Sequence, residues 1–170
     1  TIDALFEVHK KFGKLPIADL FQPAIDLARN GVVITPLQAD FYMGKKLAEI
    51  KKANNYTTIF ENGWKAGERF KYEELAQTLE RIRDNGRKEF YEGETAKRIV
   101  NYVQELGGIL SLEDLKNYHS QWRTPITFNY KNYTISSMPL PSSGGICIAQ
   151  ILKSVEPYKI GQYAHNGEQY

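Results

Sequence analysis

Ile2, Leu5, Phe6 and Val8 recur at nearly helical spacing, with Asp3, Glu7, Lys10 and Lys11 on the other side. This predicts a first helix that Gly13 ends. Pro16 suits the first turn of a second helix, which reads Ile17, Leu20, Phe21, Ile25, Leu27 and Ala28 and closes at Gly31. Pro23 falls inside that run and predicts either two helical pieces or one kinked helix. Val32, Val33 and Ile34 read as extended. Thr35-Pro36 then carries the N-cap and N1 signals of a third helix over 35–53. Its expected buried face is Leu37, Phe41, Leu47 and Ile50, and Asn54-Asn55 end it.

A short β-like run follows at 57–60, with a turn signal at Asn62-Gly63. A helix over 74–84 places Leu75, Leu79 and Ile82 on one face, and Asn85-Gly86 cap it. Phe90-Tyr91 and Gly93 lead to a helix over 95–106 with Ala96, Ile99, Val100 and Val103 inward and Gly107-Gly108 as its stop. Ser111-x-x-Asp114 has the form of a capping box, with Asp in place of Glu, and opens a short helix ending near Tyr118. The period then changes from 3.6 to 2. Ile126, Phe128 and Tyr130, then Tyr133, Ile135 and Ser137, predict a hairpin turning at Lys131-Asn132, with Asn as the residue suited to positive φ. Ser137-Met138-Pro139-Leu140-Pro141-Ser142-Ser143-Gly144-Gly145 leads out of the second strand into an apolar helix that stops before Pro157. The fold class is therefore α+β: an α-rich chain with a β-hairpin. It reads as one partial domain, helical over about 1–120, hairpin plus helix over about 121–156, and a loose tail over about 157–170. A lone two-stranded sheet is marginal, so the hairpin is expected to pair with another element or lie on the helices.

The chain has 170 residues, 42% hydrophobic and 25% charged, which suits a globular domain with a core. A net charge of +2, scattered among acids, carries no nucleic-acid signature. One cysteine excludes an internal disulfide, and Cys147, inside an apolar run, reads as a small buried hydrophobe. No apolar run approaches the roughly 20 residues of a membrane span. Thr1 begins in helical pattern and Tyr170 ends in mid-pattern, so the chain reads as an interior piece.

Candidate chemistry is sparse. His9, His119 and His165 have no metal-ligand spacing and no HExxH motif, so no metal site is assigned. The acids Glu73-Glu74, Glu89, Glu92, Glu94 and Glu113-Asp114 fall near helix starts, where the macrodipole accounts for them. Trp64 and Trp122 read as packing anchors. One stretch has site-like chemistry: Ser142, Ser143, Gly144 and Gly145, at a helix entry. They read either as an anion cradle or oxyanion donor set, or as an N-cap serine with glycines for close backbone approach. Neither a Walker loop nor GxSxG is present.

The chain resembles the γ-glutamyltranspeptidase family of N-terminal nucleophile hydrolases. The matching phrases, in the family's order, begin with Lys14-Leu15-Pro16 and Gln22-Pro23-Ala24-Ile25-Asp26-Leu27-Ala28-Arg29-Asn30-Gly31. Glu89-Phe90-Tyr91-Glu92-Gly93, Gly107-Gly108-Ile109-Leu110-Ser111-Leu112-Glu113-Asp114-Leu115, Arg123-Thr124-Pro125-Ile126 and the 137–145 stretch follow. Leu140 stands where the family's triple proline has its middle residue. The resemblance implies an interior portion of the large subunit, part of an αββα sandwich. It implies a precursor that cleaves itself and a threonine nucleophile on the small subunit whose own amine is the base. The substrate would be a γ-glutamyl compound such as glutathione, its acyl group passing to water or an amino acid. The partner implied is the small subunit of the same precursor, with no cofactor and a periplasmic or extracellular setting. The family's catalytic residues match no position here, so no catalytic residue is assigned; Ser142, Ser143, Gly144 and Gly145 are the candidates to line the cleft. An acylase of the same superfamily and a non-catalytic helical module are the alternative readings. The isolated piece is expected to self-associate through open strand edges.

Overall fold

The computed structural model describes residues 1–40, 46–53, 63–163 and 167. It comprises two compact units, Thr1–Ser120 and Gln121–Tyr170.

The first unit opens with α1 (Ile2–Phe12) and α2 (Ile17–Asn30). α2 is one helix running through Pro23. It packs against α5 (Glu73–Asn85), and this pair forms the centre of the unit, with Ile25, Ala76 and Ile82 at or near full burial. Leu75, expected on the inner face, is exposed, and Ala76 takes the inward position. The close packing of two helices favours the small residue there. Polar side chains hold the same seam. The Arg29 guanidinium forks onto Glu80 at 2.8 and 2.7 Å, and Arg83 donates to Gln22 Oε1 at 2.7 Å.

Gly31 ends α2 at φ +85°, where a side chain would be strained and would also meet the Phe70 carbonyl at 2.7 Å. The chain then forms β1 (Val32–Val33), which pairs antiparallel with β2 (Arg69–Phe70), Val32 opposite Phe70. β2 carries no alternation long enough to be read from sequence. Trp64 packs on Phe70 with ring centroids 4.7 Å apart.

Thr35 and Gln38 form a capping box, as Thr35-Pro36 suggests, and open an α-helical turn that passes into π-helix at residues 39–40. α3 spans Pro36–Gln38 and α4 spans Leu47–Ala53, with a bend at Lys46, so the single helix expected over 35–53 is not formed. Leu37, expected inside, is 75% exposed. Phe41, the run at 57–60 and Asn62 lie outside the described residues.

Gly86, at φ +68°, ends α5 and starts α6 (Arg87–Glu92), a helix where the sequence pattern predicts only a connection. α7 (Glu94–Glu105) buries Ala96 and Val100. Its end is a Schellman motif: Gly108 N–H donates to the Val103 carbonyl at 2.8 Å and Gly107 N–H to the Gln104 carbonyl at 2.9 Å, with Gly107 at φ +81°. The capping box of Ser111 and Asp114 is complete and opens α8 (Leu112–Lys116).

The second unit is a hairpin with a helix laid on it. β3 (Ile126–Tyr130) and β4 (Tyr133–Ser137) pair antiparallel, Phe128 opposite Ile135, and α9 (Gly144–Val155) packs on both. Ile126, Phe128, Tyr130, Ile135 and Ser137 are half-buried, while the alternate positions carry Thr127 with Ser136 and Asn129 with Thr134 in hydrogen-bonded cross-strand pairs. Lys131, not Asn132, takes the positive φ of the turn, at +50°. Its backbone N–H donates to Glu156 Oε1 at 2.7 Å, so the end of α9 holds the turn residue in that conformation. Residues 160–162 form a single 3-10 turn inside the stretch expected to be loose.

Candidate functional site

The turn from β4 into α9 is where the sequence concentrates site-like residues. Its backbone folds back at Pro139, with Ser142 N–H donating to the Pro139 carbonyl at 3.2 Å and a cis Leu140–Pro141 peptide. Ser143 occupies the N-cap of α9 yet its side chain makes no capping bond, because its backbone is already αR (φ −75°, ψ −18°). The expected N-cap serine is therefore absent as a side-chain device. Replacing Ser143 with alanine is expected to change folding stability by no more than about 0.5 kcal/mol, well short of an ordinary cap deletion. Thermal denaturation of the two forms checks this.

The two glycines do different things. Gly145 is buried, and among the described residues of this unit no other residue is. A Cβ placed on it would collide with the Met138 carbonyl oxygen and crowd Ser137 Cβ at 3.3 Å and Ile126 Cδ1 at 3.4 Å. It is the point where α9 touches the hairpin backbone. Gly144 is exposed, with only Ser142 Oγ near, 3.7 Å from such a Cβ. Ser142 and Ser143 are exposed as well. Cys147, expected to be buried, is exposed on α9, as are Ile146, Ile148 and Ile151, because the hairpin covers one side of this largely apolar helix and leaves the other open.

Beside the turn lies an open cleft of about 420 Å³ lined by Arg123, Thr124, Ile126, Pro139, Leu140 and Ile146. It joins two of the family-like phrases, 123–126 and 137–145. Ser142, Ser143, Gly144 and Gly145 do not line it. The cleft offers one guanidinium, one hydroxyl and apolar walls. This can seat an acidic or amphiphilic group but brings together no nucleophile and base. Trp122, expected as a packing anchor, is 56% exposed.

The strongest electrostatics lie elsewhere, in the first unit, and serve structure. Asp3 is 3% exposed in the first turn of α1. Its carboxylate accepts from Arg87 Nε and from both the N–H and the hydroxyl of Ser120 at 2.6 Å, while its own N–H donates to the Tyr91 hydroxyl at 3.2 Å. Arg87 also donates to the Tyr118 carbonyl and stacks over Tyr91, 4.5 Å from the ring centroid. Burial works to raise the Asp3 carboxyl, but the hydroxyl and N–H of Ser120 and the Arg87 guanidinium outweigh it and hold it at about 2, against an ordinary 3.8.

Glu89 has a parallel role. Its buried carboxylate accepts from the Thr95 N–H at 3.1 Å, the Thr95 hydroxyl at 3.0 Å and Arg81 Nε at 3.1 Å, so it caps the start of α7 from the preceding helix. Burial pushes this carboxyl up, and the Thr95 hydroxyl and N–H, Arg81 and the Glu94 N–H bring it below the usual range. Gly93 has no side chain because a Cβ would collide with that carboxylate. The phrase at 89–93 is thus a folding device, as are those at 22–31 and 107–115.

The histidines are dispersed. His9 Nε2 bonds the Leu15 carbonyl at 2.8 Å, His119 Nδ1 lies 3.5 Å from Arg87, and His165 is outside the described residues. Among the described residues no group of three His, Cys, Asp or Glu is placed to hold a metal ion, and no helix is long and apolar enough to cross a membrane.

The chain is helix-rich α+β, and the solved structures it resembles are gamma-glutamyltranspeptidases of the N-terminal nucleophile hydrolase class. The family model for gamma-glutamyltranspeptidase matches residues 1–170, and the chain belongs to that family. It is similar to the glutathione hydrolase proenzyme of Pseudomonas aeruginosa, at 41% identity over 152 residues, 89% of this chain and 27% of that protein. It is similar in structure to the gamma-glutamyltranspeptidase from Pseudomonas nitroreducens complexed with L-DON, with a TM-score of 0.89 and 36% identity, over 99% of this chain and 50% of that one. An acylase ACY 1 proenzyme of Pseudomonas sp. (strain V22) is 33% identical over 91% of this chain and 28% of its own length. The chain thus spans little more than a quarter of the length of these full-length relatives.

Proposed function

We propose that this chain is a supporting portion of the large subunit of a γ-glutamyltransferase or glutathione hydrolase. In this reading a threonine hydroxyl, supplied by the small subunit of the same precursor, attacks the γ-glutamyl carbonyl, and its own amine takes the proton. The leaving amine departs with a proton, and water or an amino acid then receives the γ-glutamyl group from the resulting ester. The observation that carries this reading is the family match across all of 1–170. Ser142, Ser143 and Gly144 present the exposed side of the turn toward the assembled cleft, and Gly145 seats α9 on the hairpin. The parent's setting is periplasmic or extracellular, and the isolated piece self-associates through its open hairpin edges and the bare side of α9.

The test compares the 170-residue chain with the full-length processed protein on a chromogenic γ-glutamyl anilide. Turnover is expected from the full-length protein and none from the 170-residue chain. Release of the chromophore by the chain alone would overturn the assignment. The similarity to an acylase proenzyme favours a second reading, in which the acyl group is a different one, such as a cephalosporin side chain. Preference of the full-length protein for such an amide over the γ-glutamyl anilide would select it.

A further inference from the structure

The chain has seven arginines, and six of them have a polar partner within it. Arg29, Arg81, Arg83, Arg87 and Arg98 each donate to a carboxylate, and Arg69 donates to the Gly31 carbonyl at 2.9 Å. Arg123 alone has no hydrogen-bond or ion-pair partner among the described residues, and the side chain of Thr124 beside it has none either. Both line the open cleft of about 420 Å³ next to the turn from β4 into α9. Pro125 favours extended backbone at Thr124, and Ile126 then enters β3 opposite Ser137. Arg123 and Thr124 therefore stand at the end of the hairpin where Pro139 and Leu140 leave β4. Ile126, Pro139, Leu140 and Ile146 complete the lining, and all four are apolar.

We infer that this cleft binds small apolar carboxylates, of the kind of a medium-chain aliphatic acid, in preference to amino acids. Three features of the lining select that class. The unpartnered guanidinium is a fixed fork of N–H donors, which a carboxylate meets with two parallel hydrogen bonds. The apolar walls give a hydrocarbon body a surface to cover, from which an inorganic anion would gain nothing. No carboxylate lines the cleft, so the ammonium group of an amino acid would give up water there without a partner. The volume and the proportion of few polar to many apolar groups are those of small-ligand sites.

The experiment uses the full-length processed protein. Phenylglyoxal modifies accessible guanidinium groups, and the rate at each arginine is read by peptide mass. Hexanoate and 2-aminohexanoate are compared as protecting ligands, because they share a chain and differ by the ammonium group. Arg98, exposed and paired with Glu94 at 2.8 Å, is the internal reference. Hexanoate is expected to bind in the millimolar range that suits so few atoms. At saturation it should slow modification of Arg123 at least about tenfold and leave Arg98 unchanged. 2-Aminohexanoate should leave both rates unchanged. In Leu140→Ala, which trims an exposed wall residue, about fivefold more hexanoate should be needed for the same protection. Failure of hexanoate to protect Arg123 in the full-length protein would overturn the inference. Equal protection by the two acids, equal slowing at Arg98, or an unchanged requirement in Leu140→Ala would do so as well. Neither ligand is read through turnover, so failure of the γ-glutamyl assignment and failure of this site remain distinguishable.

Discussion

Replacing Asp3 with alanine is expected to cost about 3 kcal/mol of folding stability, far more than an ordinary change in the first turn of a helix. The reason is what the carboxylate leaves behind. Arg87 loses its partner where it is largely enclosed between Tyr91 and the carbonyl of Tyr118, and the N–H and hydroxyl of Ser120 lose their acceptor. Asp3→Asn keeps the shape and removes the charge, which isolates the electrostatic part. The folded carboxyl titrates at about 2 against 3.8 for an ordinary aspartate. A group whose folded value is depressed contributes stability above the unfolded value and loses it as the pH falls through the folded one. The gap in stability between wild type and Asp3→Asn should therefore be full above about pH 4 and close toward pH 2. Denaturant titrations of both proteins across that range measure it. A gap that stays constant down to pH 2 would contradict the assigned network.

Gly145→Ala is expected to destabilise the protein by about 1–3 kcal/mol, whereas Gly144→Ala should be neutral or slightly favourable. The two residues are adjacent and chemically identical, and they differ in what a methyl group would meet. At Gly145 it would run into the Met138 carbonyl oxygen, which belongs to the backbone and cannot rotate aside. At Gly144 the nearest atom is a serine hydroxyl at 3.7 Å, an ordinary contact. The strain at Gly145 falls on the seat of α9 against β3 and β4, so hydrogen exchange in the hairpin should quicken along with the loss of stability. Equal effects at the two positions would mean that the helix, not the hairpin contact, needs the glycines.

The elements with local causes are legible in the amino-acid sequence. Pro16 before α2, the capping boxes at Thr35 and Ser111, the glycine stops at Gly31 and Gly107, and the change of period at Ile126 each act within a few residues. Burial is less legible. The apolar stripe on α1 suggests Leu5 and Val8 inside and Asp3 outside, and the structure reverses this. Asp3 is driven inward by partners 84 and 117 residues away, which no window of sequence contains. Cys147 and Leu37 mislead for a related reason, since an apolar residue is buried only where another element arrives to cover it. The capping of α7 by Glu89 leaves a trace in the phrase Glu89-Phe90-Tyr91-Glu92-Gly93, but a carboxylate reaching six residues forward around a glycine matches no simple cap rule.

By itself, then, the order of residues determined most of the helices, the hairpin and its register, and the family, though not α6, β2 or the break within 35–53, because caps, turns and alternation are short-range and the family phrases are written in them. Only the tertiary structure decided what those phrases do. It separated Gly145, which seats a helix, from Gly144, which does not. It set a cleft walled by Arg123 and Leu140 beside the turn that carries the serines, and made the buried carboxylates of Asp3 and Glu89 into fasteners. Each of these depends on which distant groups come within hydrogen-bonding or van der Waals reach, and that is settled only when the helices pack.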